Sequence, residues 1–100
     1  MKKTAIKLFI IFLSSNSFGQ TSKEFVESGD KKQEDYDWKG AIADYSSAIK
    51  LDSTNAKAYG RRGYVKSFKL KDYKAACLDW KKAAAFGDEI SKGLLENLCD

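Results

Sequence analysis

The sequence predicts an all-α fold, a short solenoid of two helix hairpins with a C-terminal capping helix. The first observation is an internal repeat, because the stretch 37–45 returns as 72–80, 35 residues further on. The second is the helical spacing of apolar side chains, and the third is a helix-capping residue ahead of each such stretch. Repeats of this length bury their apolar face against a neighbouring copy, so we expect function at the surface.

Residues 1–19 have the features of a secretory signal peptide. They combine a basic start, an apolar run over 5–13 and small residues at the two determining positions of a cleavage site after Gly19. The apolar run is shorter than the roughly 20 residues of a membrane-spanning helix, which favours cleavage over a retained anchor. We therefore expect an exported protein, periplasmic or secreted, with residues 20–100 as its domain and no stable membrane insertion.

Cleavage would change the charge of the protein. The chain has 18 Lys and Arg against 14 Asp and Glu, a formal net charge of +4. Three of the lysines precede residue 20, so the domain would have 15 basic against 14 acidic residues. A net charge of +1 does not indicate a nucleic-acid partner, and we expect none.

The first hairpin is predicted from its caps. Thr21 and Glu24 fit a capping box, which starts a helix that runs to about Glu34, and Asp37 is placed to cap the next helix. The apolar positions of that second helix form one stripe: Ala41, Ile42, Tyr45, Ala48 and Ile49. Gly29 and Ala41 would allow close approach where the paired helices cross.

The second hairpin repeats this arrangement. A polar turn over 52–55 precedes a third helix from Ala56 to Phe68, and Asp72 is placed to cap a fourth. The apolar stripe of the fourth helix is Ala76, Cys77, Trp80, Ala83 and Ala84. The repeat period changes from 34 to 35 between Gly63 and Asp72, so one residue has been inserted there. We expect a loop to absorb it.

A fifth, capping helix is predicted over residues 88–99. Gly87 fits a left-handed C-cap, and Asp88 is placed as the next N-cap. The apolar residues of this helix should cover the open end of the array: Ile90, Leu94, Leu95 and Leu98.

These residues resemble the tetratricopeptide repeat family. Residues 22–55 look like one repeat through Phe25, Gly29, Ala41, Tyr45 and Ala48. Residues 56–90 resemble a second through Tyr59, Gly63, Ala76, Trp80 and Ala83. The stretch 80–88 is also similar to the end of a Sel1-like repeat. Lys32, Lys66 and Ser67 depart from the pattern, because the family favours aromatic or apolar residues there.

The resemblance implies a short right-handed superhelical array with a concave groove lined by the first helix of each repeat. It places Lys57, Gly60, Arg61 and Tyr64 in the groove, together with Val26 and Asp30 of the preceding repeat. Lys57 and Arg61 match two basic positions of the family's carboxylate clamp, whereas Val26 and Asp30 do not match its lysine and asparagine. The implied function is a protein-protein interaction adaptor that binds an acidic or carboxylate-ended partner segment. The alternative is a structural subunit that assembles with copies of itself.

The composition argues against an enzyme. The chain has no histidine, which removes catalytic triads, imidazole metal sites and the commonest general acid-base residue. Asp35, Asp37 and Gly40 match part of a calcium loop, but Lys39 and Ser46 occupy ligand positions, so helix capping is the better interpretation. The stretch 60–63 lacks the context of a phosphate loop. We expect no catalytic activity, cofactor or metal.

Two other sets of side chains have competing interpretations. A set of aromatic residues suits either a stacking platform or the core, and its helical spacing favours the core: Trp38, Tyr45, Tyr73 and Trp80. A basic set suits either a partner site or a solvated face: Lys57, Arg61, Arg62, Lys66, Lys69, Lys71 and Lys74.

The two cysteines are placed to form a disulfide. Asp88 lies midway between Cys77 and Cys99, so equal lengths of two antiparallel helices would bring the side chains to one level. Export would supply an oxidising compartment. The alternative is a pair of free thiols, with Cys77 as a small core residue.

Overall fold

The computed structural model describes residues 20–100, so the predicted signal peptide lies outside the described residues. Within them the chain forms helices and no strand, which confirms the predicted all-α class. The helices are α1 (Ser22–Glu34), α2 (Trp38–Leu51), α3 (Ala56–Tyr64), α4 (Tyr73–Ala85) and α5 (Glu89–Leu98). Each helix packs against the next one along the chain.

The helices begin where the capping residues predict. Thr21 and Glu24 form both bonds of a capping box, at 2.8 and 3.1 Å. Each of the other caps accepts a backbone N–H from three residues further on, at 2.9 to 3.3 Å: Asp37, Asn55, Asp72 and Asp88. These bonds satisfy donors that the first helical turn leaves without a partner, and they depend on local sequence alone.

The inserted residue is absorbed inside the helix and not in a loop. The α-helix ends at Tyr64 and continues as a wider π-helical turn, Val65–Lys69. The backbone N–H of Asp37 bonds to the carbonyl of Lys32, five residues back, but that of Asp72 bonds to Lys66, six residues back. Both connections then use a left-handed residue at the same place, with φ of 61° at Tyr36 and 62° at Lys71. A π turn accommodates one extra residue without changing the connection that follows.

The core of each hairpin places a glycine against an aromatic ring. A Cβ atom on Gly29 would lie 2.5 Å from the ring of Tyr45, and one on Gly63 would lie 2.7 Å from the indole of Trp80. Tyr45 and Trp80 are fully buried, as the periodicity predicts. The glycines therefore leave room for the ring of the facing helix, and at Gly63 also for the backbone of Ala76, which would lie 3.2 Å from a Cβ.

Helix α5 covers α4 differently from the prediction. Ile90 is 75% exposed and Leu98 is 55% exposed, so much of the predicted apolar cover faces outward. The buried residue of this helix is Ser91. A Cβ on Gly60 would lie 2.7 Å from the Ser91 hydroxyl, so α5 approaches α3 through small and polar groups. The apolar spacing predicted a helix correctly but did not predict which side would be buried.

Candidate functional site

A groove of about 410 Å³ lies between α1, α3 and α5, and we call it the central groove. Helix α3 contributes all four residues that the resemblance placed in a groove: Lys57, Gly60, Arg61 and Tyr64. The other lining residues are Asp30, Gln33, Asp88, Ile90, Ser91 and Leu94. Val26 does not line the groove, because it is buried in a core cluster to which α1, α2 and α3 contribute. Its placement from the resemblance was therefore wrong.

Helical spacing explains why α3 presents these residues together. Positions 57, 60, 61 and 64 share one face of a helix, while Ala58 and Gly63 lie on the buried face. Gly60 brings the start of α5 close, because a side chain there would meet Ser91 and the Asp88 carboxylate. This close approach makes α5 one wall of the central groove.

Arg61 is held by one carboxylate. Its Nε lies 3.0 Å from Oδ1 of Asp30, and both side chains remain more than a third exposed. Nε makes no hydrogen bond within residues 20–100, so the interaction is mainly a charge contact. Lys57 forms no ion pair with any residue of 20–100.

Two residues that were not assigned to the site support Asp30. The Tyr45 hydroxyl donates to Oδ1 of Asp30 at 2.5 Å, and Gln33 donates to the Tyr45 oxygen at 2.7 Å. Burial raises the pKa of Tyr45 above its usual value, and the bond to Asp30 raises it further. The hydroxyl therefore stays protonated and keeps donating. The repeat pattern identified Tyr45 only as a core residue, since nothing in its spacing reveals the partner of its hydroxyl.

The same internal ion pair occurs in both hairpins. In the first, Asp44 lies 2.9 Å from Lys32 and accepts from Ser28. In the second, Asp79 lies 3.1 Å from Lys66 and accepts two bonds from Arg62, at 2.9 and 2.8 Å. Both carboxylates are buried. Lys32 and Lys66 each neutralise a buried aspartate of the facing helix.

The basic set therefore separates into different roles. Arg62 pairs with Asp79, which raises its pKa, and also donates to Ser46 of α2 at 3.0 Å, so it links the two hairpins. Lys69 lies over the ring of Trp38 at 5.0 Å and that of Tyr64 at 6.0 Å. A solvated face does not describe Arg62 and Lys66, because both bind the buried Asp79. Recurrence of the Asp-Lys combination in both repeats was the sequence signal that could have shown this.

The aromatic prediction is confirmed for Tyr45 and Trp80 and wrong for Tyr73. Tyr73 is 58% exposed, although the equivalent Trp38 is partly buried against the core. Trp38 is covered in part by Tyr36, at a ring distance of 5.7 Å, and by Lys69. The second hairpin covers Trp38 through Lys69, whereas Tyr73 has no comparable cover within residues 20–100 and stays exposed.

The cysteines lie where equal helix lengths predict. The structure joins Cys77 of α4 to Cys99, at the end of α5, with a Cα separation of 5.9 Å. This bond connects the wall of the central groove to the second hairpin.

Within the described residues, acidic side chains and cysteines form no cluster of three or more suited to a metal ion. None of the five helices is both long and apolar enough to span a membrane. No family model matches the chain, and comparisons with curated proteins and with solved structures found no similar protein.

Proposed function

We propose that the protein is an exported, non-catalytic adaptor of the tetratricopeptide-like type. The central groove binds a segment of a partner protein that carries a carboxylate, either on an acidic side chain or at a chain end. The observation that supports this most is the presence of two cations, Lys57 and Arg61, in one groove with an apolar wall of Ile90 and Leu94.

The state of the two cations favours a carboxylate ligand. Lys57 has no ion-pair partner among residues 20–100, and Arg61 contacts Asp30 without a hydrogen bond from Nε. A guanidinium has five N–H donors in a planar fork, so its outer edge can still bind a carboxylate through two parallel bonds. Asp30 already accepts from Tyr45, and Asp88 accepts from the Ser91 backbone and hydroxyl. Both groove carboxylates are therefore engaged internally.

The apolar wall gives the ligand area to cover. Ile90 is largely exposed and Leu94 is half-buried, although both lie in a groove. Burying apolar surface supplies most of the free energy in such contacts, while charges fix orientation and register. We therefore expect the partner segment to carry an apolar residue beside its carboxylate.

Charge reversal in the central groove tests this function. Lys57→Glu should weaken binding of the native partner, captured from the exported fraction, by more than about 1 kcal/mol and reduce its salt dependence. Arg61→Gln should act in the same direction without placing a second carboxylate beside Asp30. Affinity is measured by titration calorimetry at two salt concentrations.

Lys23→Glu is the matched control, because Lys23 occupies the equivalent position of α1, outside the groove lining. Unchanged affinity in both groove variants would place the binding surface elsewhere.

A further inference from the structure

We propose that a second groove, between α3 and α4, docks the α1–α2 turn of another copy of this chain. This basic groove has a volume of about 670 Å³, and its principal lining residues are Tyr59, Arg62, Lys66, Leu78, Lys81 and Lys82. It shares no lining residue with the central groove, so the proposal does not rest on the adaptor function.

The basic groove combines an excess of positive charge with an exposed apolar side chain. Four cations line it against one carboxylate, Asp79, which is buried and already engaged by Arg62 and Lys66. Lys81 and Lys82 are exposed and form no ion pair with any residue of 20–100. Leu78 lies beside them and is 64% exposed. A complementary ligand carries several carboxylates next to a large apolar side chain.

These features belong to the second repeat alone. At the equivalent positions the first repeat has Ala43, Ser46 and Ser47, 35 residues before Leu78, Lys81 and Lys82. Because both hairpins fold on the same pattern, folding does not require a leucine and two lysines there. Their presence on an exposed face points to a contact outside the hairpin.

The chain itself contains a segment with the complementary chemistry. The turn between α1 and α2 reads Glu34-Asp35-Tyr36-Asp37, three carboxylates around a tyrosine that is 78% exposed. Glu34 and Asp35 form no ion pair within the described part of the chain. The equivalent turn of the second repeat has the opposite character, since it contains Lys69 and Lys71.

Over the whole domain, too, the first repeat is acidic and the remaining part is basic. Residues 20–55 contain 5 basic and 8 acidic residues, a net charge of −3, and residues 56–100 contain 10 and 6, a net charge of +4. The acidic turn is not among the residues that line the basic groove of its own chain, so docking requires a second copy. Reciprocal docking closes a dimer, and one-way docking gives an open chain of copies.

Charge exchange between the two surfaces tests the proposal. The molar mass of the purified exported protein, measured by light scattering over a concentration series, should rise with concentration and fall with added salt. The double variants K81E/K82E and E34K/D35K should each raise the dissociation constant at least tenfold. An equal mixture of the two should recover association. The unchanged acidic turn of K81E/K82E then meets the unchanged basic groove of E34K/D35K, and the two altered surfaces also carry opposite charges.

Further variants separate this contact from general charge effects. K50E/K92E changes the net charge by the same amount as K81E/K82E, but at exposed positions outside the basic groove. It should leave association unchanged. Leu78→Ala installs the residue of the first repeat, and Tyr36→Asn keeps a side chain that tolerates positive φ. Each should weaken association about tenfold, since each removes a large apolar contact. Circular dichroism verifies that every variant keeps its helices.

Several results would overturn the proposal. The first is a wild-type protein that is monomeric at every concentration. The second is an oligomer that none of the four variants weakens. The third is loss of association with K81E/K82E but not with E34K/D35K. The last result would mean that the basic groove binds a different segment. Partner binding at the central groove is measured separately on K81E/K82E, where it should be unchanged, so the two proposals fail independently.

Discussion

At the scale of single residues, the two glycines that face aromatic rings set how closely each hairpin packs. Gly29 meets Tyr45, and Gly63 meets Trp80, at equivalent positions of the two repeats. A glycine inside a helix costs about 1 kcal/mol relative to alanine, so its presence in both repeats indicates a packing requirement. The ring and the glycine act as one complementary pair, and enlarging either member should disturb the helix crossing.

Gly63→Ala should therefore destabilise the protein despite the better helix propensity of alanine. The new Cβ would lie 2.7 Å from the Trp80 indole and 3.2 Å from the backbone oxygen of Ala76, and a backbone atom cannot move aside cheaply. Overpacking of this kind costs about 1 to 3 kcal/mol, measured by urea unfolding.

Gly93→Ala is the matched control for that substitution. Gly93 is also inside a helix, but a Cβ there meets nothing within 4 Å, so this change should stabilise the protein by up to about 1 kcal/mol. If both variants shift stability in the same direction, packing at Gly63 is not the reason for its glycine.

At the scale of helices, local signals predicted the structure better than signals between helices. All five N-caps depend on side chains within three residues of the bond they make, and the sequence named four of them. The fifth, Asn55, was predicted only as part of a polar turn. The π turn after Tyr64 was not predictable in this way, because the repeat period shows that a residue is inserted but not where the backbone widens. The ion pairs of Asp44 and Asp79 depend on the facing helix, which apolar periodicity does not describe.

The central groove also divides into a part that local sequence predicts and a part that depends on contacts between helices. Its α3 residues share a face by helical spacing, so the sequence grouped Lys57, Gly60, Arg61 and Tyr64 correctly. The contribution of α5 was missed, since Ile90 and Leu94 were assigned to a covering role by their apolar character alone. Helix α5 turns Ser91 toward Gly60, a contact between small groups that has no periodic signal.

The attachment of α5 leads to a prediction about the disulfide. Because Ser91 is the buried residue of this helix, the covalent link from Cys77 to Cys99 should be a major part of what holds it. In the chain-entropy model, closing a loop with a sequence separation of 22 stabilises the fold by roughly 3 kcal/mol. The Cys77→Ser/Cys99→Ser variant should lose about that amount in urea unfolding, with faster amide exchange concentrated in α5.

Thiol counting provides the direct control. Denatured, unreduced native protein should show no reactive thiol, and its mass should be two hydrogens below that of the reduced form. Two reactive thiols, or a double-serine variant as stable as the wild type, would contradict the structural role of the bond. Reduction should also weaken partner binding at the central groove, because α5 supplies one of its walls.

At the scale of the whole molecule, size and compartment are connected. Two repeats are fewer than the three that such arrays usually need for stability, and small domains bury too little surface to have much margin. A disulfide compensates for a small core, but it persists only in an oxidising environment. The bond between α4 and α5 is therefore consistent with export, which residues 1–19 predict from an independent part of the sequence.

The last prediction joins these two observations in one measurement. Intact-mass analysis of the native protein should find a chain that begins at Gln20 and carries the oxidised cysteine pair, because cleavage after Gly19 and oxidation both follow from export. Ile10→Arg places a charge in the apolar run and should retain the precursor inside the cell, starting at Met1 and with both thiols reduced. Recovery of wild-type protein with Met1 and free thiols in the cytoplasm would contradict export. The protein would then keep the three lysines of residues 1–19 and its net charge of +4.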